Sequence, residues 1–359
     1  MGSRAERHIF LHCGWRTAGT WIWSQFRRCD GVAGFYEPLN ESLGTMTLRT
    51  MPAMRPGASD SRHPEPERPY FEEYAPLLSP IKPGTRGFQP SFAYDEFFAN
   101  HDANASLAEY LTSLLELAES HTKTAVLKFC RSLTRIDWLQ RTFPDAFHVL
   151  VLREPLSQWE SGWRLWAKES NPYFLVMPMR ILAQHHREPW IATALEGLRL
   201  RPEDCVLPLK HRACCTAVRT MPVSFLYRAF LALWIATTLR AMSFSENYIE
   251  TDRLELPAYR EEVETLLERE TGFRIDLTSA THLGRSESFL DPREVRSAHL
   301  DALEVLDRLE LQVSGRGRDG AKFLRAKLHE GLMPQLQTPS LVHSTTNGRA
   351  AQWPATNQS

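Results

Sequence analysis

The run Cys13-Gly-Trp-Arg-Thr-Ala-Gly-Thr-Trp21 gathers one cation, two hydroxyls and two glycines within nine residues. The residues before it, His8-Ile-Phe-Leu-His12, are β-prone, and residues 20–28 carry apolar side chains at helical spacing. The run is therefore expected to be a strand-to-helix turn. At such a turn, successive backbone N–H groups and the positive end of the helix converge on an anion. A nucleoside-triphosphatase loop, G-x-x-x-x-G-K-[ST], needs Lys after its second glycine. Here Thr20 follows Gly19 directly, so Arg16 supplies the cation from inside the loop.

Two further groupings could serve the same anion. Leu150-Val-Leu-Arg153 ends an apolar run expected to be a buried strand, and Ser161 follows eight residues later on a helix that Pro155 begins. Arg153 and Ser161 can thus face one ligand. Gly34-Phe-Tyr-Glu-Pro-Leu-Asn-Glu41 follows a second short strand and offers Glu37 as the nearest proton acceptor, with His63 and His101 as other candidates. A structural role competes for Glu37, as a cap on the next helix or a partner for Arg16.

Together these stretches resemble sulfotransferases that use 3'-phosphoadenosine-5'-phosphosulfate (PAPS), of the bacterial and carbohydrate type. In that family the first loop reads R-[ST]-G-[ST]-[ST] or K-[ST]-G-T-T-W. Arg16-Thr-Ala-Gly-Thr-Trp21 differs by one inserted residue or a shifted glycine, which leaves open the amides that face the donor. R-E-P-L-S-Q-W-E-S, from Arg153 to Ser161, resembles the family's R-[DN]-P-x-x-x-x-x-S. Lys128-Phe-Cys-Arg-Ser132 and 135–146 are similar to the stretch leading into that strand, so the likeness runs in order through 8–41 and 124–166.

The resemblance implies a P-loop-like sulfotransferase fold, PAPS as co-substrate and PAP as product. It implies that Arg16, Thr17, Ala18, Gly19, Thr20 and Trp21 bind the 5'-phosphosulfate and that Arg153 and Ser161 hold the 3'-phosphate. Arg16 and Glu37 are the implied catalytic residues, one stabilising the leaving phosphate and the other accepting the acceptor's proton. The acceptor would be a small-molecule or carbohydrate hydroxyl or amine. His282-Leu-Gly-Arg-Ser-Glu-Ser288 is a weaker candidate for a loop closing over the 3'-phosphate. A nucleotide kinase of related fold and a non-catalytic nucleotide-binding protein are the competing readings.

Positioning these residues requires an α/β scaffold. Of the 359 residues, 43% are hydrophobic and 24% charged, enough for a sizeable core, and the net charge of −1 argues against a nucleic-acid partner. Six scattered cysteines without C-x-x-C spacing point to reduced thiols in a cytoplasm, and no His or Cys cluster has metal-ligand spacing. The most apolar stretch, 229–239, is too short to span a membrane and reads as a core helix.

Strands are expected at 8–12, 32–36, 124–129, 147–152 and 247–250, and helices at 20–28, 104–121, 133–142, 155–168, 179–200, 223–242, 257–271, 291–312 and 321–332. This alternation predicts a single domain over residues 1–332, with a mainly parallel sheet flanked by helices. Residues 51–90, rich in Pro, Gly, Ser and charge, read as a variable insertion or lid, and 333–359 as a disordered tail. The oligomeric state is not legible.

Overall fold

The computed structural model describes residues 7–54, 67–98, 104–283 and 290–336. Five strands, β1 (Ile9–Cys13), β2 (Val32–Tyr36), β3 (Thr124–Phe129), β4 (Phe147–Leu152) and β5 (Tyr248–Glu250), form one sheet in the order β2-β3-β1-β4-β5. Every pairing is parallel. Among β1 to β4 all residues are buried, which is why they read as unbroken apolar runs rather than as alternating patterns.

Helix α1 (Gly19–Arg27) links β1 to β2, and α2 (Ala105–Ser120) precedes β3. Asn104 caps α2 by accepting from Leu107 N, the role that short polar side chains perform at helix starts. After β3 come α3 (Ile136–Thr142) and β4, and then α4 (Pro155–Glu169), with Pro155 at its first turn. Glu154 caps α4 through bonds from Leu156 N and Ser157 N at 3.0 and 2.7 Å.

The expected helix over 179–200 is two helices, α5 (Tyr173–Gln184) and α6 (Pro189–Gly197). Pro189 lacks the N–H needed to continue α5 but suits the first turn of α6. Helix α7 (His211–Thr220) was not expected, its three Arg and His residues hiding a short amphipathic turn pattern. Helices α8 (Val223–Met242), α9 (Pro257–Thr271), α10 (Pro292–Glu310) and α11 (Arg316–Leu336) complete the chain. Most of the expected tail lies outside the described residues.

Two apolar clusters cover the sheet, one built on β1, β2, β3, α1 and α2, the other on α4, α5, α6, α8, α10 and α11. Among the described residues, α8 is the one helix long and apolar enough to cross a membrane, and 83% of its apolar window is buried inside the protein. It is apolar all round because other helices surround it.

The described part of 51–90 is not loose. Tyr70, Phe71 and Tyr74 are buried, and the Tyr74 hydroxyl donates to Tyr36 O at 3.1 Å. Trp23 stacks on Tyr70. Arg27 binds Glu73 through Nε at 2.8 Å and Nη2 at 2.9 Å. The segment thereby seals the outer edge strand β2, which would otherwise expose a ladder of unpaired backbone groups.

Candidate functional site

The loop from Gly14 to Ala18 runs from the carboxyl end of β1 into α1, and its carbonyls are tied to neighbouring side chains. Gly14 O accepts from Thr17 Oγ1 at 3.0 Å, Trp15 O from Gln158 Nε2 at 2.6 Å, and Arg16 O from Arg153 Nη1 at 3.2 Å. With these acceptors engaged, the loop's polarity is carried by its N–H groups and by the first amides of α1, which have no partner within the helix. Ala18 is the N-cap and supplies no side-chain bond.

The backbone answers the question left by the displaced glycine. Arg16 and Ala18 adopt left-handed conformations, with φ of 67° and 64°. Alternating handedness of this kind forms an anion-binding nest. Gly19 has a different task, since a Cβ there would lie 2.2 Å from Cys13 Sγ, so glycine permits α1 to start directly against β1.

The Arg16 guanidinium donates to Ser161 Oγ from Nε at 3.2 Å and Nη2 at 3.1 Å. Arg153, 8% exposed at the carboxyl end of β4, pairs with Asp252 at 3.4 Å in the turn after β5. Burial lowers the pKa of Arg153, an effect that Asp252 opposes. Asp252 also accepts from Glu154 N at 2.5 Å, so one carboxylate locks Arg153 to the start of α4. Arg16, Arg153 and Ser161 are thus brought together from β1, β4 and α4.

Thr17 and Thr20 are buried in the loop, and Thr20 Oγ1 lies 3.5 Å from Tyr36 Oη. Trp21 is half-buried and packs on the apolar cluster built on β1, β2, β3, α1 and α2.

Glu37 is buried, with φ of 48°, and does not meet Arg16. Its carboxylate accepts from Lys128 Nζ, from Cys130 N at 3.1 Å and from Arg131 Nη1 at 3.3 Å. Burial pushes its pKa up, but Lys128 and Arg131 outweigh burial and hold it below the usual carboxylate range. Arg131 continues to Glu41 at 2.5 Å, to Tyr94 Oη at 2.9 Å and to Tyr173 Oη. His63, His101 and the candidate loop from Gly284 to Ser288 lie outside the described residues.

A second buried network underlies the loop. His148 Nε2 meets Phe143 O at 3.0 Å, His12 Nε2 meets His148 Nδ1 at 3.0 Å, and His12 Nδ1 meets Ser132 Oγ at 2.8 Å. A carbonyl only accepts, so His148 donates to it, His12 donates to His148, and Ser132 donates to His12. Every proton in the chain is placed when both rings are neutral.

Comparison with protein-family models, with curated proteins and with solved structures finds no match to this chain. The functional reading therefore rests on the site's own chemistry: an amide-lined loop with two arginines, opposite a serine that accepts from one of them and keeps its own proton to donate.

Lys128, Arg131, Gln158 and Asp252 have no role assigned from the sequence, although the first three lie in stretches that carry the resemblance. Lys128 stands inside an apolar strand run, a placement that itself signals a buried partner. Asp252 follows the late strand but nothing local ties it to Arg153, 99 positions earlier.

Proposed function

We propose that the chain transfers a sulfuryl group from PAPS to an acceptor hydroxyl or amine and releases PAP, on a P-loop-like fold. The observation that carries this reading is the meeting of Arg16, Arg153 and Ser161 around the loop after β1. The strand order supports it: β1 connects across β3 to β2 on one side, β3 connects across β1 to β4 on the other, and ligands of parallel sheets bind where the direction switches, beyond the strands' carboxyl ends.

In the proposed reaction the acceptor oxygen or nitrogen attacks sulfur in line, the bond from sulfur to the 5'-phosphate oxygen breaks, and PAP leaves with the electron pair. The acceptor's proton passes to a base. The loop amides and Arg16 stabilise charge accumulating on the departing phosphate, and Arg153 and Ser161 hold the 3'-phosphate. Such transfer needs positioning and electrostatics more than covalent help from the protein.

Glu37 carries two roles with opposite consequences, proton acceptor by resemblance and ion-pair anchor by its contacts. The contacts favour the anchor, because a carboxylate held below its usual pKa by two cations is a weak base. A kinase reading is disfavoured: the lysine near the loop, Lys128, is committed to Glu37.

The test is incubation with radiolabelled PAPS and a panel of alcohols and amines, beside labelled ATP. Label transfer from PAPS alone is expected; transfer from ATP alone would replace this reading with the kinase, and PAP binding without transfer would leave a nucleotide-binding protein.

A further inference from the structure

Lys128 is the penultimate residue of β3 and Cys130 directly follows that strand, so the strand period puts both side chains on one face. Lys128 Nζ lies 2.9 Å from Cys130 Sγ, and both residues are buried. Glu37 holds the pair in place: one carboxylate oxygen accepts from Lys128 Nζ and the other from Cys130 N at 3.1 Å. A nucleophilic sulfur, an amine and a proton acceptor are thus packed together.

Cys130 also borders a cleft behind the loop, together with Gly14, Trp15 and Thr17. Its internal space of about 30 Å³ admits a molecule the size of water or hydrogen peroxide and excludes a metabolite. Burial and the Glu37 charge push the Cys130 thiol pKa well up, so oxidation of this sulfur is slow in the resting protein. Lys128 opposes both effects, because its ammonium favours negative charge as it forms on sulfur.

We infer that Lys128 and Cys130 form a reversible sulfur–nitrogen cross-link when the chain meets hydrogen peroxide. Sulfur attacks one peroxide oxygen, the O–O bond breaks, and the departing hydroxide takes the thiol proton, giving a sulfenic acid and water. Lys128 then passes one proton to Glu37, and its amine attacks sulfur. The sulfenic hydroxyl leaves as water with a second amine proton. Sulfur is oxidised, the peroxide is reduced, and the product is a sulfenamide beside a protonated Glu37. The cross-link removes the ammonium that Glu37 faces, so exposure to peroxide is recorded in the charge around that carboxylate. It needs no nucleotide and is independent of the sulfuryl-transfer reading.

The experiment is peptide mapping by mass spectrometry. The full chain is exposed to dilute hydrogen peroxide, denatured with N-ethylmaleimide to block free thiols, and digested with trypsin without reductant. Untreated protein should yield 124–128 and 129–131 as separate peptides, the second alkylated at Cys130. After peroxide, both should give way to a single peptide, 124–131, lighter than its plain sequence by two hydrogens, because trypsin does not cleave after a modified lysine. Dithiothreitol added before digestion should restore the two peptides. The same peroxide treatment in urea should leave the joined peptide undetected, since the unfolded chain does not hold amine against sulfur. Four results overturn the inference: Cys130 still alkylated after peroxide, Cys130 found as sulfenic or sulfinic acid with cleavage after Lys128 intact, Cys130 joined to Cys13 as a disulfide, or an equal yield of the joined peptide in urea.

Discussion

Arg16 donates through two guanidinium nitrogens to the single hydroxyl oxygen of Ser161, fastening the loop after β1 to the second turn of α4. The contact joins residues 145 positions apart and sets the spacing between the two halves of the candidate donor site. Arg16→Ala should consequently lower turnover more than PAP affinity, since leaving-group stabilisation appears in the rate. Steady-state kinetics beside PAP calorimetry check this, and equal losses would make Arg16 a general binding residue.

Arg153 and Ser161 should confer the preference for a 3'-phosphorylated nucleotide. Hydrogen bonds to charged groups contribute roughly 1.5 to 3 kcal/mol each, or about ten- to a hundredfold in affinity. Arg153→Ala should erase the difference between PAP and adenosine 5'-monophosphate. An affinity ratio that survives the substitution assigns the 3'-phosphate elsewhere.

The loop's two small residues should respond in opposite directions. Ala18, at φ of 64°, pays the left-handed penalty that glycine escapes, so Ala18→Gly should raise the melting temperature by about a degree or two. At Gly19 a methyl group would strike Cys13 Sγ, so Gly19→Ala should destabilise by about 1 to 3 kcal/mol. Differential scanning calorimetry of both variants reads the contrast.

Glu37→Gln distinguishes the base from the anchor. Leaving the buried Lys128 and Arg131 short of one carboxylate should cost about 3 to 5 kcal/mol of stability. Denaturant melts are expected to show that loss. An unaltered melt, with turnover lowered about 10²-fold, would instead return Glu37 to the role of base.

Acid should weaken the fold through its buried imidazoles. Burial lowers the pKa of His12 well below 6.5, and lowers His148 and His299 to about 4. The unfolded chain, with histidines near 6.5, then binds more protons than the folded one, so stability is whole above pH 6.5 and falls as the pH drops toward 4. Each such group steepens the fall by about 1.4 kcal/mol per pH unit. His299 accepts from the Tyr227 hydroxyl at 2.6 Å and donates to Leu328 O at 2.8 Å. Replacing it with Gln should flatten the dependence of stability on pH, and a parallel curve would assign acid sensitivity to other groups.

The strands were legible because burial on both faces writes itself as runs such as Phe147-His-Val-Leu-Val-Leu152. Helices opened by proline, at Pro155 and Pro257, were equally plain. The break between Gln184 and Pro189 was missed because apolar spacing continues across it. In the site, Arg16, Arg153 and Ser161 announced themselves at element ends. Asp252 and Gln158 did not, since a side chain that steadies another across the fold carries no local pattern. Glu37 was legible as a residue of interest, but its partners on β3 were not.

The close seating of Gly19 on Cys13 has a kinetic corollary. The Cys13 thiol is wholly buried beneath the start of α1, and burial pushes its pKa up to about 12. An alkylating reagent reaches it only when the loop lifts away from β1, whereas the half-buried Cys29 and Cys215 are open to earlier attack. Cys13 is thus a clock for loop opening: its labelling rate counts excursions of the anion-binding turn, and a ligand that clamps the turn slows the clock without touching sulfur.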